Sequence, residues 1–236
     1  MRVSLTLSYN GTHFLGSQAQ KSSSNTILGQ LGIVLDKINI DSKIVASGRT
    51  DKGVHASGQV CHIDIPNFWN DLKKLKKVLN EMLPKSIHVK KVLHVNEDFH
   101  ARYSAKKRTY RYIIEQSASN PFENDFITFL DRVDFNSINK NIKLFEGELD
   151  FKYFMKTGSD INSTIRTIYK AFAYKHKDYI VLNFEANGFL RTQIRFMVSA
   201  LLNLDEKEIK EKLSGKENHK IKPAPCNGLY LTKIKY

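Results

Sequence analysis

The chain has 236 residues, of which 41% are hydrophobic and 11% aromatic, enough to bury one large core or two smaller ones. Its formal net charge of +13 attracts polyanions, so nucleic acid is the leading candidate partner, ahead of an anionic membrane surface. We find no apolar run of about eighteen residues and no signal-peptide pattern, and we therefore expect neither a membrane-spanning nor a secreted protein.

The two cysteines, Cys61 and Cys226, have no C-x-x-C partner. This spacing argues against a zinc site and against a disulfide framework. We expect both to be small buried apolar residues in a protein of the reducing cytoplasm.

The first hundred residues alternate predicted strands and helices. Val3, Leu5 and Leu7 alternate with polar residues, as in a half-buried strand. Apolar residues at helical spacing follow over 27–38, and strands are predicted at 44–46, 61–65 and 87–95. A second helix after Pro66 has Phe68 on its apolar face and a lysine-rich solvated face. This β-α-β-β-α-β order is typical of a ferredoxin-like, or split βαβ, arrangement.

The second half begins with a strand over 104–114. Alternation puts Arg108, Tyr110 and Tyr112 on one face, and Arg111 on the other with Thr109 and Ile113. Aromatic and arginine side chains interleaved in this way suit a surface that stacks bases and pairs with phosphates. A tyrosine-rich strand packed in a sheet is the equally open alternative.

The remaining elements complete a second half of similar composition. We predict helices over 135–145 and 206–213, a polar loop over 156–163, a hairpin of strands 165–175 and 179–186, and a last strand over 229–236. A helix follows residue 187, with Arg191 and Arg195 on one face in its opening turns, where anions are favoured. Ordinary surface arginines are the alternative.

These elements predict an α/β (α+β) fold. We expect two ferredoxin-like halves, 1–100 and 101–236, that share a mixed, mostly antiparallel sheet with helices packed on it and a basic central cleft.

The most informative stretch is the loop between the strands at 44–46 and 61–65. Asp51 lies in it with Arg49 and Lys52 close in sequence, and nearby cations keep a carboxylate ionised. An ionised, positioned carboxylate can act as a nucleophile, although turn formation is the common role of a loop aspartate. Glycines at 48, 53 and 58 favour positive φ angles and close approach to a ligand.

Residues 49–56 read Arg-Thr-Asp-Lys-Gly-Val-His-Ala, which resembles the signature of the TruA family of tRNA pseudouridine synthases. Further anchors fall in order along nearly the whole chain. They include the Tyr9-x-Gly11-Thr12 loop, Asn80 with Leu83-Pro84, Phe99-His100-Ala101-Arg102, Tyr110 with Tyr112, Phe189-Leu190 with Arg195, and Gly228-Leu229. The chain departs from the family pattern at Ser17, where Trp is usual, at Leu149, where His is usual, and at Ser199, where Gly is usual.

The resemblance implies a tRNA pseudouridine(38–40) synthase, which isomerises uridines of the anticodon stem-loop. It implies catalytic roles for Asp51 as nucleophile, Tyr110 against the flipped uracil, and Arg195 as the partner of Asp51. It implies substrate contacts by Tyr110 and a further set of residues: Arg49, Arg102, Arg111 and Phe189. It also implies a homodimer in the cytoplasm that uses no cofactor and no metal.

Residue patterns disfavour neighbouring enzyme classes. A glycoside hydrolase ordinarily needs a second carboxylate, and none accompanies Asp51 in its loop. The H-x-E and P-C-x-x-C motifs of a zinc deaminase and the G-x-G-x-x-G motif of a dinucleotide enzyme are absent from the sequence. A catalytically silent RNA-binding protein with the same basic cleft stays open as the alternative.

Overall fold

The structure, a computed structural model, describes residues 1–158 and 162–236. The polar loop predicted over 156–163 therefore lies partly outside the described residues. The fold is mixed α/β, as predicted, and the chain divides into two compact units. The first unit comprises Met1–Lys106 and Tyr230–Tyr236, and the second comprises Lys107–Leu229.

The first unit is built on five strands, β1 (Arg2–Tyr9), β2 (Val45–Ala46), β3 (His55–Asp64), β4 (Ile87–His94) and β10 (Leu229–Lys235). Strand β1 lies between β4 and β3 and is antiparallel to both. The far edge of β3 pairs with β2 near one end and with β10, in parallel, near the other. Because β2 pairs with β3, the loop that joins these two strands starts and ends on the same sheet.

Two capped helices connect these strands. Helix α1 (Ile27–Lys37) begins where the Thr26 side chain accepts a hydrogen bond from the Gly29 amide, and α2 (Leu72–Met82) begins where Asp71 accepts from two amides. The buried residues of α1 recur at helical spacing and those of α2 are four apart, so each helix buries one side: Ile27, Leu28, Leu31, Val34 and Leu35 in α1, and Leu75 and Leu79 in α2.

The prediction that Phe68 lies on the apolar face of the second helix was wrong. Asp71 caps α2, so the helix starts after it, and Asn67–Trp69 forms a separate 3₁₀ turn. Trp69 holds this turn by donating its indole N–H to the Ile38 carbonyl at 3.0 Å. Phe68 is left 66% exposed.

The second unit contains the antiparallel strands β5 (Lys107–Glu115), β9 (Tyr179–Ala186), β8 (Ile165–His176) and β7 (Gly147–Asp150), in that spatial order. A short strand, β6 (Thr128–Phe129), which the sequence did not predict, pairs in parallel with β5. The helices are α3 (Phe135–Asn141), which continues as a 3₁₀ turn over Ile142–Phe145, α4 (Gln193–Asn203) and α5 (Glu206–Ser214).

Aromatic side chains fill the core of the second unit. Phe145, Phe151 and Phe154 are fully buried, and the ring centres of Phe145 and Phe154 are 5.5 Å apart in an edge-to-face arrangement. In β5 the period-two prediction is confirmed, because Tyr110 and Tyr112 are buried while Arg111 between them is exposed.

The compact units differ from the predicted halves in two details. Their division falls after Lys106 rather than after residue 100, and residues 230–236 group with the first unit because β10 pairs with β3. The domain halves, their ferredoxin-like character, the shared sheet and the basic cleft stay predictions. Within the described parts of the chain, none of the helices is long and apolar enough to span a membrane.

Candidate active site

Asp51 lies in the loop that joins β2 to β3 in the first unit. We call residues 47–54 the Asp51 loop. The Val54 amide donates to the Asp51 carbonyl at 3.1 Å, which closes a turn over residues 51–54. The Asp51 side chain is half-buried, while Arg49 and Lys52 are exposed. The loop thus offers one carboxylate between two cations, as the sequence predicts.

Only one of the glycines at 48, 53 and 58 has the positive φ angle expected of it. Gly53 has φ = 76°, whereas Gly48 and Gly58 do not have positive φ. A Cβ at Gly58 would lie 2.1 Å from the Thr232 carbonyl oxygen, so this glycine permits the close approach of β10 to β3 rather than that of a ligand.

Thr50, the residue before Asp51, is fixed by three hydrogen bonds. Its amide donates to the Ser17 hydroxyl at 2.8 Å, and its carbonyl accepts from the Ser17 amide at 3.1 Å. Its hydroxyl shares a bond of 2.9 Å with the Tyr9 hydroxyl. All three residues are at most 6% exposed, so water does not compete for these bonds and Thr50 has little freedom to move.

The start of the Asp51 loop is held by a second buried group. The Ser47 hydroxyl donates to the Gln59 Oε1 atom at 2.6 Å, and the side-chain Nε2 atom of Gln59 donates to the Gly48 carbonyl at 2.8 Å. Ser47 is 1% exposed and Gln59 is fully buried. The loop is therefore anchored on both sides of Arg49, and Arg49 itself stays on the surface.

His55 holds the other end of the loop. Its Nδ1 atom accepts a hydrogen bond from the Gly11 amide at 3.0 Å, and its ring stacks on Tyr230 of β10 with the ring centres 4.8 Å apart. Since Nδ1 accepts, it carries no proton. A Cβ at Gly11 would lie 2.1 Å from the Val54 carbonyl oxygen. Only glycine therefore lets the loop that follows β1 pack against the Asp51 loop.

Burial sets the protonation state of Tyr9, which is bonded to Thr50 beside Asp51. Desolvation raises the pKa of Tyr9 to about 12, and the hydrogen bond with Thr50 opposes that rise only in part. Tyr9 is therefore neutral at physiological pH and keeps the hydroxyl proton that its bond with Thr50 shares.

In the second unit, Tyr110 lies on β5 opposite Phe184 and is 8% exposed. Its ring and that of Phe189 pack edge-to-face, with the ring centres 5.3 Å apart and the planes at 83°. Phe189, in the turn after β9, is half-buried. The structure thus brings two of the predicted site residues into direct contact, and this contact fixes the plane of the Tyr110 ring.

Arg195 lies in the first turn of α4, and two hydrogen bonds join it to Ala224. Its Nε atom donates to the Ala224 carbonyl at 2.6 Å, and its own carbonyl accepts from the Ala224 amide at 3.0 Å. The next residue, Pro225, accepts a bond from the Tyr112 hydroxyl at 2.9 Å. Because burial raises the pKa of Tyr112, this hydroxyl stays protonated and can donate.

The prediction that Arg191 lies in the opening turn of this helix was wrong. Helix α4 starts at Gln193, after Thr192 takes a left-handed conformation with φ = 64°. The Gln193 amide donates to the Leu190 carbonyl, and the Gln193 side chain accepts from the Leu190 amide at 2.7 Å. Residues 190–193 therefore form a separate turn, and exposed Arg191 precedes the helix.

The other predicted substrate contacts are exposed arginines. Arg111 is on the opposite face of β5 from Tyr110 and donates to the Asn183 side chain at 3.0 Å. Arg102, in the turn after β4, lies 5.6 Å from the ring centre of Tyr103. The roles of all these residues, including the pairing of Arg195 with Asp51, stay predictions.

The residues that fix the Asp51 loop were missed by sequence reasoning about the site. Tyr9 and Gln59 lie on strands and Ser17 in a loop, and a polar residue on a strand does not reveal from sequence whether it faces water or a buried partner. The available signals were that Tyr9 belongs to an anchor of the family resemblance and that Ser17 departs from the family pattern.

Among the described residues, one group could hold a metal ion. Glu211, Glu217 and His219 place three ligand atoms within 4.8 Å of one another in the second unit. His219 Nε2 is 3.0 Å from a Glu211 oxygen, and this contact lowers the pKa of Glu211. The pairing of the imidazole and the carboxylate accounts for the cluster, and no site residue belongs to it.

Comparison with known proteins places this chain in a family. A family model described as "tRNA pseudouridine synthase" matches residues 6–104 and 142–236. Over 241 aligned residues the chain is 38% identical to tRNA pseudouridine synthase A of Campylobacter jejuni strain RM1221, covering all of both chains. It is 37% identical to the Wolinella succinogenes protein of the same name, with 98% of this chain and 92% of that one covered. The Phytoplasma mali protein of that name is 38% identical, with 98% and 97% covered.

These matches define the class of the chain, which is that of the pseudouridine synthases, a class of isomerases. Within that class, the chain belongs to the tRNA pseudouridine synthase family. The resemblance read from residues 49–56 is thereby confirmed.

Proposed function

We propose that this chain converts uridines 38–40 of the tRNA anticodon stem-loop into pseudouridine, with Asp51 as the nucleophile. The observation that carries the proposal is the geometry of the Asp51 loop. Buried bonds fix Thr50 on one side of Asp51, and a closed turn fixes the backbone on the other. A carboxylate held in this way needs little reorganisation when a substrate arrives.

The chemistry is an internal transfer. The N-glycosidic bond between uracil N1 and ribose C1′ breaks, and a bond between C5 and C1′ forms. C5 loses a proton and N1 gains one, so the product is an isomer and no electrons are exchanged. A single carboxylate suffices as nucleophile because the same base is retained, and the reaction calls for no metal ion and no cofactor.

The other site residues follow from the resemblance. Tyr110 would stack on the uracil and take part in the transfer of the C5 proton, and its contact with Phe189 supports a fixed ring plane. Arg195 would pair with Asp51, and its hold on Ala224 supports a fixed guanidinium. Arg49, Arg102 and Arg111 would contact RNA, and the exposed position of each supports that role.

The target nucleotide must leave its stack before it can react, which costs about a few kcal/mol. Phosphate contacts offset this cost, and a chain of net charge +13 is suited to provide them. We further propose that the protein acts in the cytoplasm as a homodimer, as the family resemblance implies.

The test is release of tritium from tRNA labelled at uridine C5, measured for wild type and for Asp51→Asn. We expect the variant to lose isomerisation while it keeps tRNA affinity, because the amide is nearly isosteric with the carboxylate but is not a nucleophile. Asp41→Asn is the matched control, since Asp41 is exposed in the loop before β2, and it should keep full activity. Tritium release from Asp51→Asn at the wild-type rate would refute Asp51 as the nucleophile, whereas no release by the wild type itself would support the silent RNA-binding alternative.

A further inference from the structure

The turn that follows β4 holds an exposed aromatic ring in one fixed orientation. Tyr103 is 76% exposed, yet one face of its ring is stacked on His100, with the ring centres 4.3 Å apart and the planes at 24°. Since Tyr103 is largely exposed although His100 stacks on one face, ring surface stays accessible to a planar ligand.

Hydrogen bonds between backbone groups and the side chains of His100 and Ser104 make this turn rigid. His100 Nδ1 accepts from the amides of Arg102 and Tyr103 at 3.3 and 3.1 Å. The His100 amide donates to the Ser104 hydroxyl, and the Ser104 amide donates back to the His100 carbonyl at 2.8 Å. The imidazole is therefore fixed by the same segment whose tyrosine it supports.

The turn is also anchored to the core of the first unit. Ala101 is fully buried, its amide donates to His62 Nδ1 at 3.1 Å, and its carbonyl accepts from the Tyr236 hydroxyl at 3.0 Å. The His62 ring lies edge-on below His100, with the ring centres 5.1 Å apart. A column of rings thus runs from the buried sheet to the surface and ends at Tyr103.

We propose that Tyr103 is a stacking platform for an unpaired nucleobase of the tRNA. The inference rests on the proposed tRNA substrate and adds a contact that the resemblance does not assign. An aromatic ring that is already immobile loses little conformational entropy when a base stacks on it. The Arg102 guanidinium lies 5.6 Å from the ring centre, within reach of the phosphate of the same nucleotide.

An ordinary exposed tyrosine would need no such support. Single surface aromatics are common in soluble proteins, and Phe68 at 66% exposure is one in the same unit. What distinguishes Tyr103 is that a ring 76% exposed is supported on one face by His100 and has the Arg102 cation over it, on a turn held by hydrogen bonds.

The experiment compares Tyr103→Ala, Tyr103→Phe and Tyr103→Trp in the full-length protein, with Phe68→Ala as the control for loss of an exposed aromatic ring. We expect Tyr103→Ala to raise the Kd for tRNA about 5- to 150-fold, the range for loss of one base–aromatic stack. Phe and Trp at this position should bind within about 2-fold of wild type, because the ring face and not the hydroxyl makes the contact. Phe68→Ala should bind like wild type.

Two further readouts separate stacking from other roles. The slope of log K against log salt should be unchanged in Tyr103→Ala, whereas Arg102→Ala should reduce it by about 1, since only the arginine releases a counterion. With 2-aminopurine at single-stranded positions of the anticodon arm, one position should be quenched by wild type and by Tyr103→Phe but not by Tyr103→Ala.

Wild-type affinity in Tyr103→Ala, or a Tyr103→Phe variant as weak as Tyr103→Ala, would overturn the platform. Thermal denaturation of each variant shows whether the fold is retained, and an exposed side chain should leave Tm nearly unchanged. Tritium release by the wild type is scored separately. Its absence would reject the proposed function, while wild-type isomerisation with unchanged Tyr103→Ala binding would reject the platform alone.

Discussion

Replacing Ser17 by alanine tests whether the fixed Asp51 loop matters for catalysis. The substitution removes the acceptor of the Thr50 amide, a bond of 2.8 Å between residues that are 1% and 6% exposed. A buried donor that loses its partner costs about 1–3 kcal/mol. The loop can avoid this cost only by moving, and Thr50 is bonded directly to Asp51. A shift of about 1 Å in a reacting group lowers a rate by about 100-fold.

We therefore expect Ser17→Ala to lower kcat by about 10- to 100-fold, with little change in the KM for tRNA. Single-turnover tritium release at saturating enzyme measures the chemical step directly. Ser42→Ala is the matched control, because the Ser42 hydroxyl also accepts a backbone amide, that of Asp64, at 2.8 Å, but outside the Asp51 loop. An unchanged kcat in Ser17→Ala, or an effect confined to KM, would refute the reasoning.

Three further predictions concern Gly11, Arg195 and His62. Gly11→Ala should lower Tm by several degrees and reduce kcat, because its Cβ would meet the Val54 carbonyl oxygen at 2.1 Å and overpacking costs about 1–3 kcal/mol; calorimetry and tritium release measure the two effects. Arg195→Lys should reduce kcat by about 10-fold or more although the charge is kept, because lysine lacks the Nε–H that bonds to Ala224; an active lysine variant would show that charge alone suffices. Burial lowers the pKa of His62 below its usual value of about 6.5, so the unfolded state binds the proton more readily and stability should fall as the pH drops below about 6.5. His62→Gln should lose this part of the dependence of Tm on pH, and an identical pH profile in that variant would contradict the assignment.

Much of the fold was predictable because local patterns and tertiary packing agree. The alternation in β5 and the hairpin of β8 and β9 follow from periods that the sheet preserves. Where tertiary contacts decide, sequence reasoning failed. Nothing local to residues 230–236 shows that they pair with β3, because that pairing depends on a partner more than 160 residues away.

The predicted start of α4 failed for a local reason. An apolar stripe that includes Leu190 continues the helical period before the helix begins, but the Gln193 side chain bonds to the Leu190 amide and ends the turn there. A side-chain bond of this kind competes with the helix and is invisible to a periodicity argument. As a result, the prediction placed Arg191 inside the helix, whereas it precedes the helix.

Sequence reasoning singled out Asp51, the proposed nucleophile, but missed the residues that support its loop. Asp51 was evident because its loop carries a long motif, whereas the roles of Ser17, Tyr9 and Gln59 depend on which buried groups they face. Polar side chains of this kind become informative only when the fold shows where their hydrogen bonds go.

The central claim is most directly tested by mapping pseudouridine in tRNA incubated with wild type and with Asp51→Asn. Our account predicts pseudouridine at positions 38–40 of the anticodon arm with wild type and none with the variant, at equal tRNA binding. Pseudouridine formed by Asp51→Asn at the wild-type rate, or modification by wild type only outside that arm, would contradict it.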